Sequence, residues 1–497
     1  MDHPSDAIPG IAELWGQYVG LTRDVWSERP GLAMAGFEMC VDHAGEPGRA
    51  VTDRSRWRLL QGLGVDLLRR SRWQPPRVEP VDVVCGYLDQ RANHGGLIEP
   101  IVAQLRQSGM RCAALDRGSF RVAGETKDGQ HPHWRGPGWS VYTRTRRATL
   151  AAWRRGADDW RMLSHRVRDA DAPAARLLLR TPRNNIRLLA AAYRAMDSAR
   201  WLLEQLRPAV LLCTHERYPP CSELIAAARF MLNHEPATAV VQHGLCAYID
   251  MPPLSRTLLL WNQACARGYG LIGDELPEHE VIGNPEVDAV RQQVAAAAKA
   301  APKLRERWAV PPRHRVLLYL SQGSFAMEPA VNDVDDRALR CLVQAASHLD
   351  DWTIVVKPHP AYKVHQFDGL GDDPPTNMRI AETRVSLAEA MAAADAICGV
   401  FSGGLYVAAG VGKPVIRMLD VPPTYEGALH VLQQVAWRNA SSVDELLKAL
   451  AELPGEPTSR EPDPEHYPWP GRSPDRAAEW CRHAVAQHRP PQARARS

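Results

Sequence analysis

The sequence contains no long hydrophobic run, although 45% of its 497 residues are hydrophobic. A membrane-spanning helix needs ~18 or more consecutive apolar residues, and no segment approaches that length. The chain starts with Met1-Asp2-His3-Pro4, an acidic and apolar-poor beginning that is unlike a secretory signal peptide. We therefore expect a cytoplasmic protein.

Closely spaced cysteines are missing as well. Ten cysteines are scattered singly, without a CxxC pair, and several lie in apolar runs that are typical of strands. Reduced thiols in such runs behave as small hydrophobic side chains. The cysteines thus predict neither disulfides nor a zinc site.

Two ligand-binding motifs are also absent. No DxD-type carboxylate pair stands at a predicted strand end. Asn93-His94-Gly95-Gly96 resembles a glycine-rich phosphate loop but lacks the full GxGxxG pattern. We keep Asn93, His94 and Gly95 as candidates for the wall of a ligand cleft, and we expect no metal and no cofactor.

The net charge of +3 is too small to predict a nucleic-acid partner. Arginines are concentrated between residues 144 and 207, in a segment with helical spacing that also contains Trp153, Trp160 and Trp201. One interpretation is a solvated helical face over an apolar stripe. The other is a basic patch that attracts an anionic acceptor or holds the protein at the inner face of a membrane.

Length and periodicity predict an α/β protein with two domains, because 497 residues are too many for one hydrophobic core. Residues 1–75 are predicted to form a helical, tryptophan-rich extension. From residue 81 onward, strand and helix patterns alternate in the rhythm of parallel βαβ units. The first series has predicted strands at residues 81–86, 110–115, 209–213, 238–241, 257–261 and 280–285.

A second series follows a predicted linking helix at residues 294–308. Its strands are predicted at residues 316–320, 353–356, 378–380, 396–400 and 415–418, and Ser386 with Glu389 forms a capping-box start to a helix. Ser473 and Pro474 predict a last helix that ends near His488. The predicted divisions are 1–75, 76–290 with a helical insertion at about 144–207, 291–310, 311–455 and 456–497.

The predicted architecture is two Rossmann-type domains that face each other across a cleft, where the carboxyl edges of α/β sheets bind ligands. The strand at residues 353–356 runs into Lys357-Pro358-His359-Pro360. The two prolines stiffen the loop and hold the His359 imidazole beside the Lys357 ammonium, an arrangement that suits a phosphate. An exposed turn is the alternative for this motif alone.

Two more loops of the second series suit nucleotide phosphates. Both follow predicted strands and offer hydroxyls, flexible glycines and backbone N–H groups: Ser321-Gln322-Gly323-Ser324 and Ser402-Gly403-Gly404. Each loop alone also fits an ordinary turn. Three of them at strand ends of one half predict a nucleotide site.

In the first half, Gln242-His243-Gly244 ends a buried strand and is expected to face the cleft from the other side. A neutral His243 can act as a general base on an acceptor hydroxyl or donate a hydrogen bond to a phosphate. A structural histidine that caps the strand is the alternative. Glu216 is the carboxylate best placed for a catalytic base, and a surface salt bridge is its alternative.

With these motifs, the chain resembles the nucleotide-sugar transferases of the GT-B fold that carry a histidine-proline motif. They include capsule and surface-polysaccharide enzymes, CDP-glycerol glycerophosphotransferases and bacterial sialyl- and Kdo-transferases. The resemblance spans residues 81–450 and implies that His359 and Ser402 hold the donor phosphates and that His243 lies near the reacting centre. Besides the loops above, the matching residues are Val281-Ile282-Gly283-Asn284-Pro285 with Asp288, Ala394-Asp395, and Gly412-Lys413-Pro414-Val415-Ile416.

The resemblance implies a metal-independent transfer of a sugar or polyol phosphate from a nucleotide-activated donor to a hydroxyl acceptor. The acceptor would be a glycan, a lipid-linked molecule or a small molecule. Two residues depart from the pattern. Val407 stands where many relatives have a glutamate for the ribose hydroxyls, and Gly403 follows Ser402 where CMP-dependent relatives have a Ser/Thr pair.

Two other functions remain open. Ser402-Gly403-Gly404 with Gly412-Lys413-Pro414 also resembles the UDP-N-acetylglucosamine 2-epimerases, although their paired glutamates and glycine-threonine-arginine motif are missing. The second alternative is a non-catalytic binding protein of the same fold. The missing ribose glutamate supports this alternative.

Overall fold

The structure is a computed structural model of the chain. It describes residues 11–44, 79–87, 95–115, 120–122, 133–134, 146–218, 220–247, 250–273, 276–322, 329–359, 370, 374–419, 425–453 and 463–488. Five of the predicted site residues lie outside these ranges: Asn93, His94, Gly323, Ser324 and Pro360. The described residues form two β-sheets with helices between the strands, which confirms the predicted α/β class with two Rossmann-type domains.

The first sheet has eight strands in the order β4-β3-β2-β1-β5-β6-β7-β8. The strands from β2 to β8 in this order are parallel. Helices cover both faces of a parallel sheet, so its strands are buried on both sides. This burial explains the apolar runs of Val, Leu and Cys in the central strands. An antiparallel edge of two short strands was not predicted. The bounds are β1 Val83–Gly86, β2 Cys112–Leu115, β3 Phe120–Val122, β4 His133–Trp134, β5 Val210–Cys213, β6 Ala237–Val241, β7 Thr257–Leu260 and β8 Glu278–Val281.

The second sheet has six parallel strands in the order β11-β10-β9-β12-β13-β14. Five of them agree with the predicted strands to within one residue at each end, and β14 was not predicted. The bounds are β9 Arg315–Leu320, β10 Trp352–Lys357, β11 Met378–Ile380, β12 Ala396–Gly399, β13 Val415–Met418 and β14 Arg438–Ala440.

The helices follow the capping and proline signals of the sequence. Ser386 and Glu389 form the predicted capping box. The linking helix begins at Pro285, earlier than predicted, because the Asn284 side chain caps it and proline suits the first helical position. The described helices are Ile11–Thr22, Pro30–Ala44, Gly95–Gln107, Arg146–Asp169, Pro182–Leu206, Cys221–Phe230, Gln263–Ile272, Pro285–Ala297, Ala301–Arg307, Pro329–Ala346, Leu387–Ala393, Gly403–Gly410, Glu426–Val435, Val443–Ala451 and Ser473–His488.

The last helix, Ser473–His488, returns to the first sheet. Its apolar side chains share a core with β1, β5 and β6. Asp288, in the linking helix, accepts hydrogen bonds from the backbone N–H groups of Gly471 (2.6 Å) and Ser473 (3.1 Å) at the start of this helix. Gly283 has φ +84°, and a Cβ there would lie 2.5 Å from the Ser473 Oγ. The Gly-Asn-Pro segment with Asp288 therefore anchors the C-terminal helix.

The arginine-rich segment forms two long helices, Arg146–Asp169 and Pro182–Leu206, which pack against the N-terminal helices. Several of its arginines pair with acidic side chains, and these pairs favour the interpretation as a solvated helical face. None of the described helices is both long and apolar enough to cross a membrane. The pairs are Arg155–Asp197, Arg161–Asp158, Arg166–Asp24 and Arg200–Glu204.

We predict that Asp288→Ala loosens the C-terminal helix, because two backbone donors lose their buried acceptor. The opening free energy of helix Ser473–His488 should fall by about 1–3 kcal/mol, which is roughly 5- to 150-fold faster amide exchange there. Hydrogen-exchange mass spectrometry measures it. The control is Asp350→Ala at an exposed position, which should change nothing in this helix. Equal exchange in both variants would contradict the anchoring role.

Candidate functional site

Three neighbouring strands of the second sheet end at the same level. Lys357 at the end of β10 pairs with Leu320 at the end of β9, and Leu320 pairs with Gly399 at the end of β12. The loops that follow these strands therefore leave the sheet at one edge. Carboxyl edges of this kind are where α/β proteins bind ligands.

The turn after β9 is held by an aspartate that the sequence analysis did not single out. Asp335, buried in helix Pro329–Ala346, accepts hydrogen bonds from the hydroxyls of Tyr319 and Ser321 and from the Gln322 backbone N–H. Burial raises the pKa of its carboxyl. A carboxylate within the apolar stripe of an amphipathic helix was the signal that could have identified it.

Gln322 carries an unused donor at this edge. Its side chain is 4% exposed, and among the described residues nothing accepts a hydrogen bond from its Nε2. A buried amide N–H without an acceptor is costly, and a ligand oxygen is a suitable partner for it.

Lys357 and His359 bring two basic side chains to the same edge. Burial lowers the pKa of the Lys357 ammonium, and Glu389 partly opposes this effect. Burial, together with the Lys357 charge, also lowers the pKa of His359 below its ordinary 6.5. His359 is therefore neutral at neutral pH, and an incoming anion would favour its protonated form.

The turn after β12 starts a helix. The Ser402 hydroxyl accepts a hydrogen bond from the Gly404 N–H (3.2 Å) and caps helix Gly403–Gly410. A Cβ at Gly403 would meet nothing within 4 Å, whereas one at Gly404 would lie 2.9 Å from the Leu320 side chain. The backbone at Gly403 is therefore accessible, and the positive end of the helix points to the edge.

At the first sheet, two histidines meet. Cys213 at the end of β5 pairs with Val240 in β6, so the segments after these strands are neighbours. The rings of His215 and His243 lie 4.7 Å apart, with 45° between their planes. The Arg217 N–H donates to His215 Nδ1 (2.8 Å), so a neutral His215 carries its proton on Nε2. His215 was not among the predicted site residues, although it follows directly on a predicted strand end.

Gln242 holds the turn around His243. Its Nε2 donates to the Gly244 carbonyl (2.8 Å), and its Oε1 accepts from the Trp261 backbone N–H (3.1 Å). The Trp261 Nε1 donates to the Gln242 carbonyl (2.7 Å). Both ends of the Gln242 side chain are thus engaged in orienting the turn.

Glu216 is buried, so its alternative as a surface salt bridge does not apply. Its carboxylate accepts from the backbone N–H groups of Leu254 and Ser255 and from the Ser255 hydroxyl. Asp250 lies nearby, and burial first and the Glu216 charge second raise its pKa to about 7. Both oxygens of Glu216 are occupied in holding residues 254–255.

The two domains meet where Trp261 contacts Tyr406. Trp261 follows β7, and Tyr406 lies in the helix that Ser402 caps. Their rings stack at 4.8 Å, and the Asn262 Nδ2 donates to the Tyr406 hydroxyl (3.2 Å). The segment that follows β7 and the helix that Ser402 caps thus meet at the domain boundary.

Several of the residues that carry the family resemblance make contacts that stabilise the fold. The Lys413 Nζ donates to the Ala394 carbonyl (2.6 Å), and Asp395 accepts from Arg305 (2.7 Å) and from the Val316 N–H (2.6 Å). Val407 is 1% exposed in the core. Among the described residues, no group of three or more His, Cys, Asp and Glu side chains could hold a metal ion.

No protein-family model and no curated protein matches the chain. Solved structures with a similar fold include UDP-GlcNAc 2-epimerase from Methanocaldococcus jannaschii, with 14% identity, a TM-score of 0.47, and coverage of 81% of this chain and 99% of that chain. A glycosyltransferase from Rickettsia africae has 10% identity and a TM-score of 0.43, with 82% and 94% covered. The wall teichoic acid polymerase TagF has 11% identity and a TM-score of 0.41, with 91% and 98% covered. At these values the likeness carries no argument about reaction or substrate.

We predict that His359 makes the folded protein less stable at acidic pH. Its folded-state pKa lies below 6.5, so under acid the unfolded chain binds a proton that the folded chain does not. As the pH falls from about 7.5 to about 5.5, the unfolding free energy of the wild type should therefore fall more than that of His359→Gln. Urea denaturation at the two pH values measures it.

The control for this measurement is His348→Gln at an exposed position. Its difference from the wild type should be the same at both pH values. If His359→Gln also shows a constant difference, then burial of the His359 imidazole does not affect its protonation.

Proposed function

We propose that the protein is a glycosyltransferase, or a glycerophosphotransferase-like enzyme, that uses a nucleotide-activated donor and a hydroxyl acceptor. The observation that carries this proposal is that Lys357, His359 and the Ser402-capped helix lie at the ends of β10 and β12, which flank β9 at one edge of the sheet. These groups supply positive charge and donors where a nucleotide phosphate would leave. Such groups can replace a metal in stabilising a leaving phosphate.

On the donor side, each group has a separate role in the proposal. The Lys357 ammonium and His359 bind phosphate oxygens, and His359 becomes protonated as the anion enters. The Gln322 Nε2, buried without an acceptor among the described residues, donates a further hydrogen bond. The backbone at Gly403 and Gly404 presents the helix dipole to the phosphate.

On the acceptor side, His243 is the general base. It takes the proton of the acceptor hydroxyl while the oxygen bonds to the transferred carbon or phosphorus, and the nucleotide phosphate leaves with the bonding electron pair. The neighbouring His215 presents an Nε2–H donor beside it. We assign Glu216 a supporting role, because both of its oxygens already accept hydrogen bonds from residues 254–255.

The acceptor is a glycan, a lipid-linked molecule or a small molecule, and we place the reaction in the cytoplasm. The resemblance of the motifs points to surface polysaccharide or glycoconjugate synthesis. A thermal-shift screen against CMP-, CDP-, UDP- and GDP-linked donors would identify the nucleotide, because a ligand that binds the native state raises its stability.

We predict that the two histidines affect different kinetic quantities. His359→Ala should weaken nucleotide binding by about 1–3 kcal/mol, the usual cost of a lost charge-assisted hydrogen bond. His243→Ala should lower kcat by roughly 10²- to 10⁴-fold and leave donor affinity nearly unchanged. Calorimetry with the nucleotide and steady-state kinetics measure the two effects.

The opposite pattern would assign His243 to the phosphate site and return Glu216 to the role of the base. Interconversion of UDP-N-acetylhexosamines by the wild type without an acceptor would replace the transferase with an epimerase-like enzyme. Tight nucleotide binding with neither activity would make it a non-catalytic binding protein.

We also predict that turnover does not need a divalent cation, since Lys357, His359 and the helix dipole would neutralise the leaving phosphate. Treatment with EDTA followed by desalting should leave kcat unchanged. Loss of activity that Mg²⁺ or Mn²⁺ restores would contradict this prediction.

A further inference from the structure

We propose that Trp261 is a positioning residue that couples the donor-phosphate helix of one domain to the His243 turn of the other. The inference rests on the proposed function, in which His243 is the base and helix Gly403–Gly410 binds the donor phosphate. Trp261 does not itself contact the reacting groups. It connects the two elements that do.

Trp261 is bound to the His243 turn at two points. Its backbone N–H donates to the Gln242 Oε1 (3.1 Å), and its indole Nε1 donates to the Gln242 carbonyl (2.7 Å). The Gln242 amide in turn donates to the Gly244 carbonyl (2.8 Å). His243 lies between these two anchored residues, so a rotation of the indole changes the direction of the turn.

On its other side, Trp261 stacks on Tyr406 of helix Gly403–Gly410, with ring centroids 4.8 Å apart. Contacts with His466 and Tyr467 also hold Tyr406 in place. Its hydroxyl donates to the His466 carbonyl (2.6 Å), the Tyr467 hydroxyl donates to the Tyr406 carbonyl (2.6 Å), and the two tyrosine rings lie 4.7 Å apart. Helix Gly403–Gly410 therefore cannot shift without moving the Trp261 ring.

The path is rigid because its members are buried. Trp261 is 1% exposed and Tyr406 is fully buried, and packed interiors transmit small displacements instead of absorbing them. Filling the phosphate site should therefore bias the orientation of His243. In this way the base would be aligned only when the donor is in place, which limits hydrolysis of the donor.

Trp261→Phe separates this role from simple packing. Phenylalanine keeps a ring against Tyr406 but loses the indole N–H that holds the Gln242 carbonyl. A packing role predicts lower stability with unchanged kcat. The positioning role predicts that kcat falls about 10- to 100-fold, as for a small misplacement of a catalytic group, while donor affinity changes less than about twofold.

The matched control is Trp26→Phe. Trp26 is also buried, and its indole Nε1 donates to the Thr22 hydroxyl (3.1 Å) in the N-terminal helices. This variant loses a buried tryptophan donor of the same kind and should keep the wild-type kcat. If the two variants lose the same thermal stability, a difference between their kcat values cannot come from the loss of stability.

A double-mutant cycle shows whether Trp261 acts through His243. If it does, Trp261→Phe lowers kcat in the wild type but has little further effect in His243→Ala. An equal loss in both backgrounds overturns the inference. So does a Trp261→Phe variant with wild-type kcat in an active enzyme.

A measurement without turnover separates this inference from the proposed function. Of CMP, CDP, UDP and GDP, the nucleotide that binds most tightly should slow amide exchange at residues 242–244 in the wild type and not in Trp261→Phe. Such coupling in a protein without transferase activity keeps the link and removes the proposed function. Unchanged exchange at residues 242–244 in a wild-type protein saturated with that nucleotide overturns the inference, and so does binding of none of the four nucleotides.

Discussion

The mutual orientation of the two sheets depends on a small set of buried contacts between domains. Trp261 stacks on Tyr406 above the strand ends. Further along the boundary, helices Gln263–Ile272 and Glu426–Val435 approach so closely at Gly268 and Gly427 that a Cβ on either glycine would lie within 3 Å of the other's carbonyl oxygen. One hydrophobic core runs through both domains around these contacts. A ligand site shared by the two domains depends on this boundary, because a parallel sheet binds ligands at its carboxyl edge only.

The carboxyl edge of the second sheet carries two basic side chains, Lys357 and His359. Burial lowers the pKa of both side chains. Asp335, an acidic residue at this edge, accepts hydrogen bonds from Tyr319, Ser321 and Gln322. The edge therefore carries basic groups and helix N–H donors, and in the proposed function a bound phosphate offsets the energetic cost of burying them.

Residues that carry a family resemblance need not take part in catalysis, and three residues of this chain show why. Asp288 caps the returning C-terminal helix, Lys413 holds the Ala394 carbonyl, and Asp395 binds Arg305. Each of these residues supports the resemblance to GT-B transferases by stabilising the fold. In the proposed function, the chemistry falls to fewer residues, chiefly Lys357, His359, Ser402 and His243.

The sequence by itself determined most strands of both sheets, the capping box at Ser386 and the last helix from Ser473 to His488, because apolar runs, caps and prolines act over a few residues. It also determined that the three phosphate-suited loops follow strands, and parallel register then brought them to one edge. Only the tertiary structure decided that His215 lies beside His243, that Asp335 orders the Ser321 turn, that both oxygens of Glu216 are occupied, and that Trp261 meets Tyr406. These contacts join residues that are 14 to 145 positions apart, and local patterns carry no information about such distances.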